Sequence, residues 1–172
     1  MAKRKKGSDD SDFDVGREDA ELMDFAKSLA GYAKSTSKGK SESQKTSDFA
    51  EAQEIIERAW ETEDPKKRIQ MAKKAILLST DCAAAYLLLG NENSYTEEKK
   101  IQMYTSAIEA SRRVLGEKFF KEYTGHFWGL TETRSYMIAK QSLLLCLYAV
   151  GRQEEAIDHA NEMLKLNPND NQ

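Results

Sequence analysis

Residues 147–168, LYAVGRQEEAIDHANEMLKLNP, hold the reading that decides the fold. Extended back to Tyr136, the apolar and small residues are Tyr136, Met137, Ala139, Leu143, Leu144, Leu147 and Val150. After them come Ala156, Ile157, Ala160, Met163, Leu164 and Leu166. Steps of mostly three and four put each set on one face of a helix. Gly151-Arg152 separates the two runs, and glycine tolerates the positive φ that a tight turn between helices needs. Asn167-Pro168 then stops the second helix, because proline disfavours helical geometry in the residue before it. The unit is helix, turn, helix, stop.

Working outward, the same unit recurs upstream. Ile55, Ile56, Ala59 and Trp60 mark one helix, and Ile69, Ala72, Ala75, Ile76 and Leu77 the next. Asp64 is a candidate N-cap between them, with Pro65 at the first helical position, where its missing N–H costs nothing. DCAAAYLLLG (81–90) opens a third helix, and a fourth runs from about Thr96 through Ile101, Tyr104, Ala107, Ile108 and Val114. The hairpins superpose at about 34 residues, the tetratricopeptide period. In the last unit Leu143, Leu147, Ala156, Ala160 and Pro168 take the large, large, small, small and proline positions. In the middle unit Tyr86, Leu89, Gly90, Tyr104 and Ala107 fit once two residues are deleted at NENSY (91–95). In the first, Ile55, Ala59, Ala72 and Ala75 fit, with Thr80 where proline usually stands. Small residues at these places let two helices approach closely. The expected fold is all-α: about three tetratricopeptide-like helical hairpins in an α-α superhelix, occupying residues 47–172. Asp48 and Glu51 are the expected capping box at its start.

Residues 1–46 differ in kind. A basic cluster, a run of aspartates and the Ser/Lys-rich stretch KSTSKGKSESQKTS (34–47) cannot bury a core. This is expected to be a disordered polyampholyte tail, within which Leu22, Met23, Phe25, Ala26, Leu29 and Tyr32 space out a marginal amphipathic helix over about 17–34. The basic start AKRKK (2–6) is cancelled by Asp9, Asp10, Asp12 and Asp14, and the net charge of the whole chain is −3. Neither nucleic acid nor membrane is an expected partner. No apolar run is long enough to span a bilayer, and the N-terminus lacks the apolar core of a signal peptide. Cys82 and Cys146 lie in apolar helical segments and are expected to be buried thiols of a cytoplasmic protein.

Residues 115–136, LGEKFFKEYTGHFWGLTETRSY, break the period and amount to an insert before the last hairpin. They carry Phe119, Phe120, Tyr123, Phe127, Trp128 and Tyr136, rings that have to be buried against something. One arrangement extends the fourth helix through Phe119-Phe120 and tucks TGHFWGL onto the hairpins as a plug. The other makes Phe127 and Trp128 one wall of a peptide-binding pocket, with His126 as a polar contact.

DCAAAYLLLG, the shortened middle hairpin and the long interruption resemble the tetratricopeptide-like region of the suppressor-of-tumorigenicity family. GHFWG (125–129), the TR and YM after it, and LNPNDNQ (166–172) are also similar to stretches of small bacterial tetratricopeptide proteins. The resemblance covers about residues 50–172. It implies an interaction scaffold, carries over no catalytic residue, and implies that NDNQ continues into a further apolar helix of a longer protein.

Tetratricopeptide stacks bind extended or helical segments in the groove made by their first helices. The expected groove residues are Gln53, Glu57 and Trp60; Leu87 and Asn91; and Ile138, Gln141, Leu145 and Tyr148. Leu145 and Tyr148 have a competing expectation, burial beneath the aromatic insert. The carboxylate clamp of that family needs Lys, Asn and Arg where Gln53, Glu57, Leu88, Ile138 and Ser142 stand here, so an apolar or basic segment fits better than an acidic tail. The expected function is a non-enzymatic adaptor that binds a protein or peptide segment. The alternatives are self-association, a homo-oligomer formed through the outer face of the last hairpin at Ile157, Ala160 and Leu164, and an enzyme using His126. No Ser, Cys or Asp stands at a suggestive spacing from His126. His126, His159, Cys82 and Cys146 lack metal-ligand spacing, so no metal or cofactor is expected.

Overall fold

A computed structural model describes residues 40–92 and 95–168. The expected tail helix at 17–34 and the last four residues lie outside them. Six α-helices and one 3₁₀ turn make up the described chain, with no strand among the described residues. They are α1 (Glu42–Trp60), α2 (Pro65–Leu78), α3 (Ala83–Gly90), α4 (Glu97–Tyr123), the 3₁₀ turn Phe127–Gly129, α5 (Arg134–Ala149) and α6 (Gln153–Leu166). Each helix packs on the next in sequence, and α3 also touches both α1 and α5.

Helix α1 starts earlier than the expected capping box at Asp48. Ser41 is its N-cap, accepting from the Gln44 N–H at 3.2 Å. Asp48 lies inside the helix and is buried, its carboxylate taking Lys40 Nζ at 2.6 Å and Gln44 Nε2 at 2.7 Å. A carboxylate already engaged by a lysine and a side-chain amide is not available to cap. The other ends match their residues. Asp64 caps α2 through the Lys66 N–H at 2.9 Å, with Pro65 at the first position. At the α5–α6 turn Gly151 takes φ 82°, the Arg152 N–H donates to Leu147 O at 2.8 Å and the Gly151 N–H to Tyr148 O at 3.1 Å. That pair of bonds is a Schellman stop, which satisfies carbonyls the helix end would otherwise leave bare.

The core runs through every helix. Ala52, Ala59, Ala72, Ala75, Ala85, Ala107, Ala110 and Ala139 are fully buried, and large side chains such as Ile56, Ile76, Leu88, Leu89 and Met137 fill around them. At Gly90 the approach is closest: a Cβ there would lie 2.5 Å from Tyr104 Cε1. The Tyr104 hydroxyl stands 2.8 Å from both the Gly90 carbonyl and Asn91 Oδ1. Arg68 closes the α1–α2 turn, reaching the Thr62 and Glu63 carbonyls at 3.0 Å and the buried Glu92 at 2.9 Å.

The insert packs as the plug arrangement has it. Helix α4 continues past Val114, breaks at Gly116 (φ 72°, ψ 157°) and resumes through Phe119 and Phe120 to Tyr123. The 3₁₀ turn then sends Phe127 inward, where it is fully buried with ring centroids 5.0 Å from Phe120 and 6.0 Å from Tyr136. Edge-to-face and tilted pairs at these distances contribute about 0.5–1.5 kcal/mol each beyond burial. Thr133 Oγ1 donates to the Phe127 and Leu130 carbonyls. The loop is tied to the end of α6 by Gly125 N–H to Leu166 O at 2.8 Å and Trp128 N–H to Asn167 Oδ1 at 3.3 Å.

Candidate functional site

Helices α1, α3 and α5 border one concave groove of about 750 Å³, and the second half of α4 lines it as well. Its apolar lining includes Trp60, Leu87, Val114, Leu115, Phe119 and Ile138. Trp60 is 52% exposed, Val114 51% and Ile138 37%, whereas Leu87 sits deep. Apolar side chains of this size left open side by side are the usual material of a recognition surface. Arg134 and Glu132 stand at the α5 side. The Ser111 side chain also lines the groove, and its hydroxyl is buried with no hydrogen-bond partner among the described residues.

Four expected groove residues, Gln53, Trp60, Leu87 and Ile138, line this space. Gln141, Leu145 and Tyr148 extend the Ile138 stripe along α5 but lie beyond the lining. Leu145 and Tyr148 stay exposed, at 60% and 65%, so the aromatic insert does not cover them. Glu57 is exposed outside the groove, and Asn91 pairs with Tyr104 at the end of α3. His126, Phe127 and Trp128 do not border it either. His126 is exposed, Trp128 is half-buried against the core, and Phe127 is the core itself. The insert reaches the groove instead through Phe119, Thr131 and Glu132. Phe119 was legible as an aromatic but not as a groove residue, because the break at Gly116 decides which way the end of α4 turns.

A second, more polar concavity of about 440 Å³ adjoins the groove, sharing Phe49, Asp81 and Val114 with it. Lys40, the first described residue, lines this shelf, as does Arg113, which bonds Asp81 at 2.7 Å and the Thr80 carbonyl at 2.9 Å.

The sequence reading missed a charged network between α5 and α6. Lys140 is almost wholly buried on α5, and its Nζ meets the Glu162 carboxylate and, at 2.8 Å, His159 Nδ1. Tyr136 Oη donates to Glu162 Oε1 at 2.9 Å, and Arg112 Nη1 reaches the same oxygen at 3.3 Å. Burial, then the nearby Lys140 charge, hold His159 below its ordinary value. Burial pushes Glu162 up, but the Lys140 and Tyr136 bonds outweigh it and the net direction is down. Burial raises Tyr136. Every charge here is answered by another, which suits an ion-paired tie between helices better than proton transfer. The signal available in advance was Lys140 itself, a lysine at a position of α5 that faces the core.

Burial and then the Glu97 carboxylate push the Cys146 thiol up to about 11, and burial raises Cys82. Both are free and buried. Among the described residues no group of three or more His, Cys, Asp or Glu is arranged to hold a metal ion. No described helix is long and apolar enough to cross a membrane.

The family model described as ST7 protein matches residues 41–169. The "Suppressor of tumorigenicity 7 protein-like" of Danio rerio is 25% identical over 114 residues, 66% of this chain and 18% of that protein. The protein of the same name in Homo sapiens is 26% identical over 117 residues, 66% of this chain and 20% of that protein. The "Protein ST7 homolog" of Drosophila melanogaster is 24% identical over 121 residues, 69% and 22% respectively. The chain thus spans about a fifth of the length of the curated relatives it matches. No solved structure matches it. A family model that covers α1 to α6 and the aromatic insert between them identifies the chain as a member of the ST7 family.

Proposed function

We propose that this chain is a non-enzymatic interaction module, three tetratricopeptide-like hairpins that hold an extended or helical protein segment in the groove bordered by α1, α3 and α5. The observation that carries the reading is the row of open apolar side chains Trp60, Val114 and Ile138 above the deeper Leu87. Apolar anchors in a concave wall supply most of the affinity for such a segment, and polar rims fix its register. On this reading the module acts in the cytoplasm, in keeping with two free, buried thiols. Among the described residues no side-chain acid or nucleophile is hydrogen-bonded to the exposed His126.

The test is affinity capture with quantitative mass spectrometry, comparing the native chain with Ile138→Glu and Trp60→Ala. Circular dichroism verifies that each variant keeps its helices. The expected outcome is a protein held by the native chain and lost from both variants. Capture unchanged by both substitutions would sink the groove reading.

Self-association is the second reading. Ile157 and Leu164 on the outer face of α6 are 59% and 52% exposed, an apolar pair unlike the polar face that usually closes a helical repeat.

A further inference from the structure

We propose that the groove is occupied in cis by this chain's own residues 17–34, so that an outside partner binds by displacing them. The inference rests on the groove reading above and names its resident. Three observations carry it.

The first is where the described chain begins. Lys40 is pinned to Asp48 at 2.6 Å and lines the shelf that adjoins the groove at Phe49, Asp81 and Val114. Whatever precedes Lys40 is joined to it beside the groove's mouth. Residues 35–39 span at most roughly 17 Å when extended, enough to bring residue 34 over the shelf.

The second is shape and pattern. As a helix, residues 17–34 would run about 27 Å. Helices pack about 8–10 Å apart, so crossing from α1 over α3 to α5 takes about 20 Å. Leu22, Phe25, Ala26, Leu29 and Tyr32 make one stripe at helical spacing, entered at its N-terminal end by Glu18, while Asp19, Glu21, Asp24 and Lys27 fall elsewhere. An apolar groove and an apolar stripe on one chain would bury each other's surface. The buried Ser111 hydroxyl, lacking a partner among the described residues, would gain one from a polar group of the incoming segment.

The third is charge. A segment that enters on the α1 side lays its acidic end, Glu18, Asp19, Glu21 and Asp24, toward α5. There Arg134 is exposed at the groove edge without an ion-pair partner among the described residues, with Glu132 opposing it. The first turn of α5 adds the positive end of a helix dipole. A tethered segment acts at an effective concentration of about a millimolar, so even a weak contact is largely closed in cis.

The experiment uses the full chain and a labelled peptide of residues 17–34, read by fluorescence anisotropy. The native chain is compared with Leu22→Asp/Phe25→Asp/Leu29→Asp, which empties the groove of its proposed resident. The expected result is that the peptide binds the triple variant at least about tenfold more tightly than the native chain. Adding Ile138→Glu to the triple variant should remove that binding, with circular dichroism showing the helices intact. Equal binding to native and triple-variant chains would overturn cis occupancy while leaving the groove a binding site, and so would binding to neither. Binding that survives Ile138→Glu would overturn it by seating the peptide elsewhere. A native chain whose mass rises with concentration, and falls back in the triple variant, would mean that the segment fills a second copy's groove, which overturns the cis assignment. Failure of the groove reading itself shows separately, as partner capture unaffected by Ile138→Glu.

Discussion

At Gly90 the Tyr104 ring occupies the space that any side chain would need. The ring cannot simply swing away, because its hydroxyl is held against the Gly90 carbonyl and Asn91. Gly90→Ala should therefore cost about 1–3 kcal/mol, the usual penalty of overpacking a filled core. Urea denaturation of the two chains measures it. His159 supports a pH prediction. Its folded pKa lies below the ordinary value of 6.5, so the unfolded chain binds more protons as pH falls through the histidine range. Its contribution is whole above that range and is lost as pH drops through it. Glu162, also lowered, adds a second loss further down, below the ordinary carboxylate value of 4.5. Thermal melts between neutral and mildly acidic pH should fall steadily, and His159→Gln should flatten the upper part of that decline.

Among the elements, α4 is the one whose course the hydrophobic period did not predict. Apolar spacing carried it to Val114, and the two phenylalanines that follow admitted two arrangements. The break at Gly116 resolves them, because φ 72° with ψ 157° is backbone that L side chains rarely adopt. No atom lies within 4 Å of a Cβ built there, so Gly116→Ala would meet no clash and only backbone strain. It should destabilise by about 1–3 kcal/mol, while Gly129→Ala, in equally open space at ordinary φ, should be nearly neutral. Chemical denaturation of both variants makes the comparison. Helix α1 teaches the converse. Its first turns look like linker by composition, yet Ser41 and Gln44 stand three apart as in a capping box, and the Lys40–Asp48 pair holds the turn they start. The signal lies in the residues themselves, next to a second pair, Asp48 and Glu51, at the same spacing.

For the whole molecule, the exposed α6 pair and the groove make distinct demands. If α6 is an interface between copies, mass measured by light scattering should rise with concentration and should stop doing so in Ile157→Lys/Leu164→Lys. The same variant should leave peptide binding in the groove untouched, since neither residue lines it. An unchanged, concentration-independent mass for the native chain would remove the self-association reading.

Amino-acid order alone determined the helices, their Pro and Gly stops and the alanine seams between them, because caps, φ restrictions and a 3.6-residue period act within a few residues of chain. Of the residues that the spacing puts on the first helices' open faces, Gln53, Trp60, Leu87 and Ile138 line one shared concavity. Tertiary structure alone decided that Phe127 is core, that Phe119 is groove, and that Lys140, His159 and Glu162 meet across two helices. Those outcomes depend on where the chain goes after one glycine and on which faces of distant helices come within a few ångströms. Contacts of that kind are set by packing the whole molecule at once, and no local spacing encodes them.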